Sequence, residues 1–258
     1  MRLFINYLSL HLKIALEYKS SFIMTFISQI LGMFVELFTV YSLFNKFKLL
    51  DIYNINELLL GFSTLWLGYS LSELFARGFD HFSNLIKRVD FDILLVRPSN
   101  LFIQILGSDI AYEKTGRALV SFGLFIYSAS KVIKQLTILK LLLLIFMVLG
   151  CLLIILSVFI IGASLSFKTV QGLEVINIVT NGTRQVGQYP MGIYKRAVRI
   201  IFTIIIPITL INYYPIDYLS GRVNNIFYVF MPLLTLIMFF ISNCIFKLGL
   251  KSYYSTGS

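Results

Sequence analysis

Residues 141–162 read LLLLIFMVLGCLLIILSVFIIG, with no charged side chain anywhere in the run. The hydrocarbon core of a bilayer, about 30 Å thick, is crossed by about 20 apolar residues in a helix. No water reaches backbone N–H and C=O groups there, so a spanning segment must satisfy them internally. This one run therefore sets the solvent and, through the solvent, a helical secondary structure.

The remainder of the chain agrees with that setting. Charged residues make up 13% of its 258 residues and hydrophobic ones 58%, whereas soluble domains carry about 25% charged residues. The fold class expected is an all-α membrane protein, one transmembrane domain over 1–258, with about six helices at roughly 20 residues each. The spans are placed near 22–44, 58–75, 111–130, 138–161, 198–214 and 226–246. No length remains for a separate soluble domain.

The spans differ in quality. Glu113, Lys114 and Arg117 crowd the start of the third and are expected to snorkel to the headgroups. Pro207 in the fifth removes a backbone donor and marks a possible hinge; Pro232 lies in the sixth. Residues 164–198 have room for a half-helix dipping into the bilayer, since irregular backbone is tolerated where protein surrounds it.

The net charge of +10 reports orientation before it reports a nucleic-acid partner, and none is expected. With a cytoplasmic N-terminus, sixteen Lys and Arg fall inside, among them Lys168, Arg184, Lys195, Arg196 and Arg199. Six, including Lys46, Lys48 and Arg222, fall outside. That bias predicts both termini in the cytoplasm, and it leaves the Asn181-Gly182-Thr183 sequon unmodified. Residues 1–20 place Asn6, Ser9, Lys13, Glu17 and Ser20 on one stripe, with Leu8, Leu12, Ala15 and Leu16 on another. Such a helix lies along the membrane interface, with lipid as its partner. No compact apolar core with a small-residue cleavage site occurs there, so no removable signal peptide is expected.

Catalytic constellations are missing from the sequence. It contains no G-x-x-x-x-G-K-[ST], no H-E-x-x-H and no G-x-S-x-G. Its histidines are His11 and His81, and Cys151 and Cys244 lie in apolar runs where they pack as small hydrophobes. No catalytic residue, metal site or cofactor is expected. Among the acids near spans, Glu36 lies deepest. It admits two readings: a residue lining a transport pathway, or a protonated or hydrogen-bonded acid at a helix contact.

Between the second and third spans lies RGFDHFSNLIKRVDFDILLVRPSNLFIQILGSD, residues 77–109. Phe82, Leu85, Ile86, Val89 and Ile93 follow helical spacing and form one apolar face, with Asn84, Lys87, Arg88 and Phe91 elsewhere. Arg97-Pro98 should end that helix, because the residue before proline is pushed out of the α region. Leu101, Phe102, Ile105 and Leu106 then return to the membrane surface. A solvated loop has no use for two amphipathic pieces.

The stretch Phe91-Asp92-Ile93-Leu94-Leu95-Val96-Arg97-Pro98-Ser99-Asn100 resembles a hallmark of the permease subunits of ABC-2 type transporters, F-D-x-x-L-x-R-P-x-N/S. A second hallmark is similar to Tyr189-Pro190, Ile193-Tyr194, Pro207 and Asn212 to Pro215, in the same order. The resemblance implies a permease that dimerises with itself or with a related permease and works with a separate ATP-binding subunit. It also implies that 77–109 supplies the coupling helix, with Phe82, Leu85, Lys87, Arg88, Phe91, Asp92, Arg97 and Pro98 as the coupling segment. Export across a bacterial cytoplasmic membrane is the activity expected. An autonomous ion-coupled carrier using Glu36 is the alternative, and a non-transporting scaffold or enzyme ranks behind both.

Overall fold

The computed structural model describes residues 2–47, 54–88, 90–169, 172–189, 191 and 194–253. Lys48, Val89, Pro190 and Ile193, each used above, lie outside the described residues. Every element among the described residues is helical. Four segments are long and apolar enough to cross a membrane: Lys19–Phe44, Ile55–Lys87, Ile138–Ser166 and Phe227–Lys251.

In chain order, helix α1 (Arg2–Glu17) leads into α2 (Lys19–Phe47) and α3 (Ile55–Asp80). Three short helices follow: α4 (Phe82–Lys87), α5 (Asp90–Val96) and α6 (Leu101–Ser108). A 3-10 turn at Tyr112–Lys114 opens α7 (Thr115–Val132), and α8 (Ile138–Ser166) holds the charge-free run. Beyond it lie α9 (Gly172–Gly187), α10 (Arg196–Ile204), α11 (Tyr213–Leu219), α12 (Phe227–Phe230) and α13 (Thr235–Lys251).

Side-chain contacts fix the direction of each rod. A Cβ added to Gly68 on α3 would fall 2.5 Å from the Cys151 Cβ of α8, and further on the Phe82 and Phe167 rings meet at 5.2 Å. α3 and α8 therefore run the same way, and α13 joins them, with Phe246 at 5.7 Å from Phe79. α7 runs oppositely, because Ser128 lies beside Ser63 while Arg117 reaches Glu73. α2 is parallel to α7, with Gln29 against Arg117 and Met33 against Ser121. Both described termini consequently sit at one end, here the near end, with Asp80 and Ser166.

The fifth expected span is not a straight rod. Arg196–Ile204 meets Ile208–Leu219 at 84°, because Pro207 cannot donate a helical hydrogen bond and its ring crowds the preceding turn. The chain instead leaves the near end through α9, within the 164–198 stretch. Gly187 at its end meets Leu65 and Ile208, and Asn212 Nδ2 donates to Gly61 O and Gly187 O at 3.3 Å each. α9 has therefore carried the chain away from the near end before Lys195 is reached.

That path corrects the charge count. Arg196 and Arg199 line a surface hollow with Tyr213 and Tyr214 at the far end, and Lys195 directly precedes α10 there. Arg184 lies within the bundle, against Trp66. The near end thus holds a smaller cationic excess than the sequence count assigned to it. The far end is tied by Arg222, whose Nη1 and Nε reach Glu57 and Asp217 at 2.9 Å each.

Candidate coupling site

α3 ends at Asp80, and the chain turns on His81, whose backbone N–H donates to Arg77 O and Phe79 O. The single amphipathic helix expected from Phe82 through Ile93 is instead two. α4 ends at Lys87, with Arg88 as its cap, and α5 begins at Asp90. The reason is packing: with a break between them, Phe82 and Phe91 both turn inward and meet edge-to-face at 5.0 Å. A continuous helix would hold these residues, nine apart, on opposite sides.

Phe82 and Phe91 are fully buried within the chain. They sit in an aromatic junction with Phe167 from the end of α8, Phe246 from α13 and Tyr253 beyond it. Edge-to-face pairs of this kind contribute about 0.5–1.5 kcal/mol beyond area burial. The Tyr253 hydroxyl also donates to Asp92 Oδ1 at 2.9 Å; burial, and then that hydrogen bond and the Asp92 charge, raise the phenol's pKa above its ordinary value. Asp92 is thereby committed within the chain.

α5 stops at Val96, immediately before Arg97-Pro98, as the pre-proline restriction requires. Asn100 Oδ1 accepts from Ile103 N and starts α6. Gln104, fully buried, donates from Nε2 to Leu94 O at 3.2 Å and Ser99 O at 3.1 Å, clamping the turn from both sides. Sequence reasoning passed over Gln104; a lone polar residue inside LFIQIL was the available signal. The tip itself is open: Val96 is 86% exposed and Ile93 54%. Arg97 and Pro98 are exposed beside them and Lys87 and Arg88 at the end of α4, while Leu85 is half-buried.

Both feet of the segment stand on α3. Ala111 N donates to Leu74 O at 3.2 Å, and His81 Nδ1 lies 2.8 Å from Asp109 Oδ2. Burial pushes the Asp109 carboxyl up, but the hydrogen bond and charge of His81, with the charges of Arg77 and His11, hold it below its ordinary value. α6 approaches so closely that a side chain at Gly78 would collide with Ile105 O. α1 braces the outer side, where Tyr112 Oη donates to Leu8 O at 2.9 Å and His11 Nε2 lies 3.1 Å from Gly107 O.

Above the junction lies an ionic cluster. Arg117, expected to snorkel outward, turns inward to Glu73 at 3.1 Å; Lys114 lies 3.5 Å and Arg77 3.8 Å from the same carboxylate. Arg117 Nε also donates to Gln29 Oε1 at 3.0 Å. Glu73 is more deeply buried than half-buried Glu36. A buried anion facing three cations explains the inward turn, because an unpaired charge at this depth costs several kcal/mol. Glu36 accepts from Gln188 Nε2 at 3.4 Å, a contact between α2 and the end of α9. Pro207 lies at the sharp bend between α10 and α11.

The chain therefore carries a protruding, two-footed segment wired by aromatic packing into the near ends of α3, α8 and α13. Comparison with known proteins gives one family match: the model of the ABC-2 family transporter protein covers residues 30–257. No curated protein and no solved structure matches. With that match spanning nearly the whole length, the chain belongs to the ABC-2 family of membrane transporter proteins.

Proposed function

We propose that the chain is the permease subunit of an exporter driven by a separate ATP-binding subunit, which grips the tip around Ile93, Val96 and Arg97. The observation that carries this reading is the contrast within 77–109. Its aromatic residues Phe82 and Phe91 are sunk in the bundle, while apolar Ile93 and Val96 beside Arg97, and basic Lys87 and Arg88 at the end of α4, are left exposed. Exposed Val96 and Ile93 give a binding subunit an anchor, and the exposed basic residues of the segment suit it to an acidic cleft.

In this reading α2, α3, α7, α8, α9 and α13 make six alternating crossings, with the near end in the cytoplasm. Closure of the ATP-binding pair displaces the tip, and the aromatic junction passes that displacement to α3, α8 and α13 together. α1 rests on the lipid surface, presenting exposed Ile5, Leu12 and Leu16 to it. A second permease copy or relative completes the path, in a bacterial cytoplasmic membrane.

Pull-down from membranes tests the assignment. The native chain should recover an ATP-binding protein, and the double variant Lys87→Glu, Arg88→Glu should recover at least about tenfold less. Both side chains are exposed, so the variant should still fold and purify. Undiminished recovery sinks the proposed docking surface.

A further inference from the structure

We propose that Arg184, with Trp66 and Tyr69, forms a binding position for the carboxylate or phosphate of an anionic amphiphile, the substrate class of this permease. The inference rests on the permease reading above. Trp66 lies near the middle of α3. Two guanidinium groups flank its ring: Arg117 at 5.2 Å and Arg184 at 5.1 Å, both also within 6 Å of the Tyr69 ring.

Their situations differ in one respect. Arg117 is neutralised by Glu73 and capped by Gln29. Arg184 has no carboxylate within 4 Å among the described residues, and its Nε is buried with no hydrogen-bond acceptor. Trp66 Nε1, on the ring beneath it, is a second buried donor without an acceptor, in a residue only 3% exposed. Glu73 has no charge to spare, since Lys114 and Arg77 already share it.

A cation at membrane depth is expensive and marks a functional position by default. Stacking on an indole offsets part of that cost, but it satisfies no N–H. What the pair lacks is an acceptor carrying negative charge, which a carboxylate or phosphate supplies in short, charge-assisted hydrogen bonds. Arg184 stays partly exposed, so the group can be approached. A hydrocarbon tail belongs in the surrounding bilayer, because Phe62, tilted against Trp66 at 6.0 Å, and Met33 on α2 are both fully buried. A transported molecule or a lipid headgroup could supply the anion, and the experiment separates them.

Trp66 is the single tryptophan of the chain, so its emission reports this position alone. The full-length chain in phosphatidylcholine nanodiscs is titrated with 12-bromododecanoate, 12-bromododecanol and 12-bromododecyl-trimethylammonium. The expected result is saturable quenching by the carboxylate, with the alcohol and the cation at least about tenfold weaker. Arg184→Gln should abolish that preference and Arg184→Lys should retain part of it. Equal quenching by all three probes overturns the proposal without any variant being needed. So does an unchanged preference in Arg184→Gln, or loss of the dimer in that variant, which would assign Arg184 to a partner subunit. Repeating the titration in phosphatidylglycerol discs identifies the source: competition by the bilayer assigns the site to a lipid headgroup and overturns the substrate assignment. If the ATP-binding protein co-purifies but no probe shows preference, this inference fails and the permease reading stands. Preference without that partner leaves the anion site in place and removes the ATP-driven reading.

Discussion

Arg117 and Arg184 approach one indole from different helices at nearly equal distances, yet they are not equivalent. Arg117 lies in a closed electrostatic circuit with Glu73 and Gln29, whereas Arg184 has a ring to lie on and its Nε has nothing to donate to. Depth alone therefore does not tell what an arginine in a membrane protein does. The partners do: Arg117 is paired with Glu73 and Gln29, and the Arg184 Nε has no acceptor.

The comparison can be broken most forcefully at Glu73. Glu73→Gln leaves Arg117 and Lys114 buried without a counter-charge, and stability should fall by about 3–5 kcal/mol. Thermal unfolding of the detergent-solubilised chain measures it; an unshifted midpoint would mean that the cluster is not held by charge. Arg184→Gln should change unliganded stability by only about 1 kcal/mol, the cation–π contribution, so a loss as large as that of Glu73→Gln would erase the distinction. The smallest effect belongs to Asp109. Its carboxyl is held below the ordinary value in the folded chain, so its contribution is complete above the ordinary carboxylate range and fades as pH falls below it. The unfolding midpoint of the native chain should exceed that of Asp109→Asn at neutral pH and converge with it in acid. A gap that widened in acid would have the wrong sign.

These same residues show where sequence reading works and where it stops. The apolar rods were legible because charge-free length has few interpretations in a bilayer. Val96 as the last helical residue of α5 was legible from Arg97-Pro98, a purely local constraint. The break before Asp90 was not, because helical spacing runs unbroken across it and only the tertiary partners Phe167 and Phe246 decide which way Phe82 and Phe91 face. Arg117 was misplaced for a similar reason, since its partner Glu73 comes from another helix. Pro207 announced a bend, here 84°, but it was α9 that carried Lys195, Arg196 and Arg199 away from the end to which counting had assigned them. α9 escaped recognition as a long element because its polar face hides it from a hydropathy window.

The closure of 80–111 onto a single helix has a consequence of another kind. With His81–Asp109 and Leu74–Ala111 sealing the base, Phe91 and Asp92 held by Phe167 and Tyr253, and Gln104 locking the turn, the ties of the segment leave its apex outside them. Exposed Ile93, Val96 and Arg97 stand clear of the packing that the membrane helices need. Under the proposed function the apex can be re-cut to suit a different ATP-binding partner while the rods keep their shape, and exchanging Ile93 and Val96–Pro98 between relatives should exchange that partner without exchanging cargo.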